Sequence, residues 1–151
     1  MRTTASVGAA RRTVLICDED RFHTQSLAEG LEKLGYAVEV VRTYSEAFAI
    51  ACAHDIDAIL VAPFLKDGSA LVLPTALGIR KPPLAVLITR MAERLANIVV
   101  TRVGFDAQLT KLVDPQVVDR MVTRAFERRL AAAADPRSSR TSAPSSAQER
   151  R

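Results

Sequence analysis

Three short groups of residues have the types and spacing to do chemistry. "ICDED" (16–20) ends an apolar run in two adjacent acids, Asp18 and Glu19. "LVAPFLKDGS" (60–69) ends another in Ala62 and a polar turn. "VLITR" (86–90) and "DAQLTK" (106–111) supply a hydroxyl, Thr89, and a cation, Lys111. The chemistry on offer is chiefly charge: a lysine able to neutralise two carboxylates at the ends of buried strands. Nucleophilic catalysis is not expected, because no Ser-His-Asp or Cys-His arrangement is visible. There is no G-x-G-x-x-G and no phosphate-binding loop, and acids after the first strand would repel a flavin phosphate. His23 and His54 fall in helical stretches and are expected at the surface. Asp67, five residues past Ala62, is expected to face solvent. Cys17 and Cys52 form no C-x-x-C pair and read as two buried, reduced thiols.

The elements that must position these groups follow from periodicity. Apolar, β-rich runs predict strands at 13–17, 37–41, 58–62 and 84–89, with a weaker fifth at 106–110. Leu27, Leu31 and Leu34 mark one helical face after the first strand, with a stop at Gly35. Thr43 or Ser45 can cap a second helix running to about His54. A third helix, within 69–79, should be short or distorted by Pro74 and Gly78. A fourth is expected over 91–103, ending at Gly104. The last begins with Asp114 as cap and Pro115 in its first turn, and Val118, Met121, Val122 and Ala125 form its apolar face. Strands alternating with helices five times predict an α/β fold: a doubly wound, five-stranded parallel sheet with helices on both faces. In such sheets ligands bind at the carboxyl ends of the strands, where all three groups lie.

Composition bounds the rest. The chain has 151 residues, 48% hydrophobic and 25% charged, with no Trp. No apolar run is long enough for a membrane helix, and the first residues lack a signal-peptide core, so a cytoplasmic protein is expected. The net charge of +4 is misleading. Residues 1–12 carry three Arg and no acid, and 131–151 carry four Arg against Asp135 and Glu149. Residues 13–130 carry 14 basic and 15 acidic groups. Three regions follow: a flexible basic tail (1–12), a domain (13–130), and a helix end running into a Ser/Arg/Ala-rich tail (131–151), disordered from about Pro136. The domain is itself polarised, with 4 basic and 10 acidic groups over 13–79, and 10 basic and 5 acidic over 80–130.

Taken in order, the motifs make the chain resemble a receiver domain of bacterial two-component response regulators over about residues 13–130. "CDED" matches the family's acidic pair at Asp18 and Glu19. "VLITR" matches its hydroxyl position at Thr89, and "GFDAQLTKLV" places its lysine at Lys111. "LKDGSAL" matches its loop after the third strand. The resemblance implies a flavodoxin-like sheet of order 2-1-3-4-5. It also implies that the phospho-accepting Asp is replaced here by Ala62, whose methyl offers neither a nucleophile nor an anionic oxygen. Asp18 and Glu19, with the backbone at Phe64, are what remains of the family's Mg²⁺ site, a weak or vestigial one; no other cofactor is expected. Leu112 and Lys66 stand where the family has Pro, and Gln108 where it has its switch aromatic. The resemblance thus implies a degenerate, stand-alone receiver that signals through protein–protein contact without aspartyl phosphorylation.

The expected working surface is the face built from helix four, strand five and helix five. Arg90 and Arg94 precede or begin helix four. Arg120, Arg124 and Arg128 recur every four residues on helix five, opposite its apolar side. Such a patch fits an acidic protein partner, and a homodimer through it stays open. No membrane contact is expected. Nucleic acid is disfavoured, because no aromatics are interleaved with the arginines. The alternative reading is an anion- or nucleic-acid-associated protein that uses its basic tails and Arg-rich helices on this scaffold.

Overall fold

The computed structural model describes residues 11–134. The chain runs β1 (Thr13–Cys17), α1 (Arg21–Lys33), β2 (Ala37–Val41), α2 (Tyr44–Ala53), β3 (Ala58–Val61), β4 (Phe64–Leu65), β5 (Gly68–Ser69), α3 (Leu73–Leu77), β6 (Leu84–Thr89), α4 (Asn97–Arg102), β7 (Ala107–Thr110) and α5 (Pro115–Ala134). Five strands form one parallel sheet in the order β2-β1-β3-β6-β7, while β4 and β5 pair separately as a small antiparallel hairpin. With the hairpin set aside, this is the 2-1-3-4-5 order expected.

Alternation along the strands divides the core in two. Val14, Ile16, Leu60, Val86 and Ile88 pack under α1 and α5 with Leu27, Leu31, Val118 and Val122. Leu15, Cys17, Ile59, Val61 and Leu87 pack under α2, α3 and α4 with Ala47, Ala51, Leu73 and Val100. Helices α1 and α5 approach closely at Gly30, where a Cβ would collide with the Pro115 ring. Tyr36, in the turn between α1 and β2, adds a tie to α5 through its hydroxyl, which donates to Asp119.

Several local expectations change. The helix expected over 91–103 is a single 3-10 turn at 91–93, an extended stretch, and the six-residue α4. The Glu93 carboxylate accepts from Arg90 N–H and closes the short turn, and Gln108 on β7 takes both backbone groups of Leu95, which holds the stretch before α4 extended. Cys17 is buried, but Cys52 is exposed: Ala51 takes the buried side of α2 and Cys52 falls beside it on the outer face. Arg11 and Arg12, assigned to the flexible tail, are docked. The Arg11 guanidinium donates to Tyr36 O, and Arg12 lies over the Phe126 ring at 4.0 Å. The expected disorder from Pro136 falls outside the described residues. No described helix is long and apolar enough to cross a membrane.

Candidate functional site

At the carboxyl end of the sheet, β1, β3, β6 and β7 deliver their last residues to one place. A cleft of about 300 Å³ is lined by Asp18, Glu19, Asp20, Ala62, Pro63, Phe64, Arg90, Glu93 and Lys111. Asp18 follows β1 at once, and its Oδ1 accepts from Asp20 N–H at 3.1 Å. Asp20 is the N-cap of α1, its Oδ1 accepting from His23 N–H at 3.0 Å. The turn therefore fixes both carboxylates before any partner arrives.

Lys111 is the cation these acids need. Its Nζ lies 2.8 Å from Asp18 Oδ2 and 3.6 Å from Asp20 Oδ2. Asp18 is 3% exposed, which alone would raise its pKa. Burial does push its carboxyl up, but the close polar groups of His23 and Lys111, the hydrogen bond from Asp20 N–H and the Lys111 charge outweigh burial and hold it below the ordinary value. Asp20 is also held low, chiefly by the His23 backbone N–H. Lys111 pairs with Asp18 and Asp20, and no ion pair joins it to Glu19. Glu19 Oε2 is buried without a hydrogen-bond partner.

His23 is the residue that sequence reasoning misplaced. It is buried, not at the surface. Its Nε2 accepts from Val113 N–H at 3.2 Å, so the ring proton sits on Nδ1, which points at Asp18 Oδ2 from 3.5 Å. The signal was present: His23, Leu27 and Leu31 recur every four residues, on the buried side of α1.

Ala62 is 5% exposed and continues β3 by donating its N–H to Cys17 O at 2.9 Å. Its methyl lines the same cleft as the acids and Lys111. Thr89 is fully buried at the end of β6, its Oγ1 without a hydrogen-bond partner, and its carbonyl accepts from Lys111 N–H at 2.8 Å. Asp67 is solvent-exposed as expected, yet it has a job. It accepts from Tyr44 N–H, Ser45 N–H and the Ser45 hydroxyl, pinning the β4–β5 hairpin to the start of α2. Those donors hold its carboxyl below the ordinary value. Its oxygens are thus spent away from the cleft.

The donor set fits a resident Mg²⁺ poorly. Such an ion requires near-octahedral oxygen ligation. Asp18 already carries Lys111, Ala62 brings no oxygen, and Glu19 is the one cleft carboxylate of the acidic pair without a cation on it. Among the described residues no group of three or more His, Cys, Asp or Glu is arranged to hold a metal.

The expected arginines occupy two places. Arg90 lines the cleft mouth. Arg94 donates to Thr110 Oγ1 on β7 at 2.8 Å. Arg120, Arg124 and Arg128 are exposed on α5. At about 100° per residue they lie on the side of α5 turned away from Pro115, which meets α1 at Gly30, and Asp119, which meets Tyr36. Gln108 on β7 holds Leu95 by both amide atoms.

This architecture is the receiver-domain fold of response regulators. A CheY-like receiver domain from Methanospirillum hungatei superposes with a TM-score of 0.70 at 22% identity, covering 81% of this chain and 99% of that one. A response regulator from Burkholderia pseudomallei, solved with a phosphorylated aspartic acid, a calcium ion and citrate, matches with a TM-score of 0.64 at 26% identity, over 81% of this chain and 73% of that one. In sequence, the photosynthetic apparatus regulatory protein RegA of Cereibacter sphaeroides is 28% identical over 110 residues, 72% of this chain. The match spans 60% of that relative's length. No protein-family profile matches the chain.

Proposed function

We propose that this chain is a response regulator receiver in two-component signalling that works without aspartyl phosphorylation, by presenting a protein-binding face. The observation that carries this reading is Ala62, a methyl in the cleft where Asp18, Asp20 and Lys111 converge. Covalent phosphorylation of a receiver needs a carboxylate that can attack phosphorus and then carry the phosphoryl group. The aspartates near this cleft are otherwise engaged: Asp18 and Asp20 with Lys111 and the α1 cap, Asp67 with the start of α2. The Lys111–Asp18 pair supports a structural role for the retained residues, in which the lysine compensates a buried charge. By the same reasoning the chain carries no resident Mg²⁺, and no other cofactor or enzymatic activity is proposed.

The proposed working face is α4, β7 and α5, with an acidic protein as the partner. Exposed arginines on α5 and around the β6–α4 connection, and the exposed apolar side chains of Met91, Ile98 and Val99 among them, support that choice. Buried Arg and apolar anchors supply affinity at such surfaces, whereas rim charges set rate and salt dependence. The site reading is tested by incubating the native chain with acetyl phosphate and Mg²⁺ and measuring intact mass. The mass stays unchanged. A stoichiometric phosphoryl gain on any Asp overturns the reading.

A further inference from the structure

The connection between β6 and α4 has no strand partner. After its 3-10 turn it extends through Arg94 (ψ 141°) and Ala96 (ψ 142°), leaving the backbone of Leu95 between them. A side chain completes that backbone. Leu95 N–H donates to Gln108 Oε1 at 2.9 Å, and Gln108 Nε2 donates to Leu95 O at 2.9 Å. A carboxamide presents one acceptor and two donors on a planar fork, so one glutamine can occupy both groups of a single residue, much as a neighbouring strand would. One residue earlier, the Arg94 guanidinium donates to Thr110 Oγ1, so two successive residues are tied to β7. Helix α4 cannot hold its own position. It has six residues, exposes Ile98 and Val99, and fully buries only Val100.

We propose that Gln108 is the positioning residue of the partner face: its amide fastens the start of α4 to the edge strand in a single arrangement, with no phosphoryl input required. This rests on reading α4, β7 and α5 as the partner surface, but the clamp itself is a property of the chain alone. A two-state face requires a connection that can leave β7. Here departure would break two hydrogen bonds at once and leave the Gln108 amide half-buried without partners.

The test is amide hydrogen exchange of the full chain, expressed as protection factors, in native protein, Gln108→Ala and Gln108→Glu. In Gln108→Ala, protection at Leu95, at Val100 of α4 and at Val103, which caps that helix, falls about tenfold or more, the order expected for two lost hydrogen bonds, while β1 and β3 keep theirs. Gln108→Glu separates clamping from filling space. As a carboxylate it still accepts from Leu95 N–H but turns a second oxygen on the Leu95 carbonyl, so protection falls at neutral pH. Protonated, at about pH 4 or below, the acid again offers one acceptor and one donor, and protection returns. Arg94 stays charged throughout. Unchanged protection in Gln108→Ala, or no acid recovery in Gln108→Glu, overturns the proposal. Should Gln108→Ala fail to fold, the recovery in Gln108→Glu decides alone. The readout needs no partner, so it stands or falls independently of the phosphoryl-transfer test.

Discussion

Replacing Lys111 by Met removes the cation from the cleft while keeping the length of its stem. Asp18 then remains 3% exposed with a formal charge and no full counter-charge. Removing one partner of a buried ion pair costs about 3–5 kcal/mol. Asp18 keeps the Asp20 N–H at 3.1 Å and the His23 Nδ1 at 3.5 Å, which argues for the lower end, about 3 kcal/mol. The pH dependence gives the sign. In the native protein the Asp18 pKa is depressed, so its stabilisation is present above the unfolded carboxylate value and is lost as pH falls through the lower folded value. Without Lys111, burial dominates and pushes the same carboxyl up, so the charged form is penalised at neutral pH and the penalty disappears as the group protonates. Urea unfolding of both proteins at about pH 7 and about pH 3.5 measures this directly, because those values bracket the ordinary carboxylate range. The gap between native and variant is large at neutral pH and narrower in acid. A gap under about 1 kcal/mol at neutral pH, or one of equal size at both, would refute the burial argument, since it would place the pair among exposed bridges.

The double substitution Arg120→Glu with Arg124→Glu, at exposed positions of α5, changes stability by no more than about 0.5 kcal/mol per site and abolishes capture of the partner from the native host. Ala62→Asn, in the cleft, leaves capture nearly unchanged; full capture by the double variant moves the working surface elsewhere. Thiol alkylation of the folded chain at neutral pH modifies the exposed Cys52 and spares Cys17, whose thiol is pushed up to about 12 by burial first and the Asp18 charge second. Peptide mass analysis reads both sites, and comparable labelling of the two would contradict the packing of β1.

The strands could be read from sequence because each is a short apolar run closed by polar residues, and a parallel sheet followed from five βα alternations, while its strand order came only with the resemblance to receivers. The turn after the third strand was legible as a polar stretch, but its β4–β5 pairing was not: Lys66 and Asp67 form the tip, and Gly68, which opens β5 opposite Leu65, takes φ 134°, a region glycine enters freely. What escaped was set by distant residues. The helix expected from Met91 breaks because Gln108 takes both backbone groups of Leu95, thirteen positions before it. His23 reads as a surface residue by type, but α1 turns it under Val113, ninety residues away in the chain. Lys111 was expected to meet Asp18 or Glu19; the choice of Asp18 and Asp20 depends on the cap that Asp20 makes, a turn geometry that residue types alone leave open.

The central claim is that Ala62 occupies the missing carboxylate's position beside Asp18 and Glu19. Mg²⁺ affinity of the native chain and of Ala62→Asp, measured by titration calorimetry, tests it most directly. A further carboxylate beside Asp18 and Glu19 competes for Lys111 and supplies the absent oxygen ligand, so the variant binds Mg²⁺ about tenfold or more tightly than the native chain. Equal affinity in the two proteins would contradict the account, because residue 62 would then not face the acids at all.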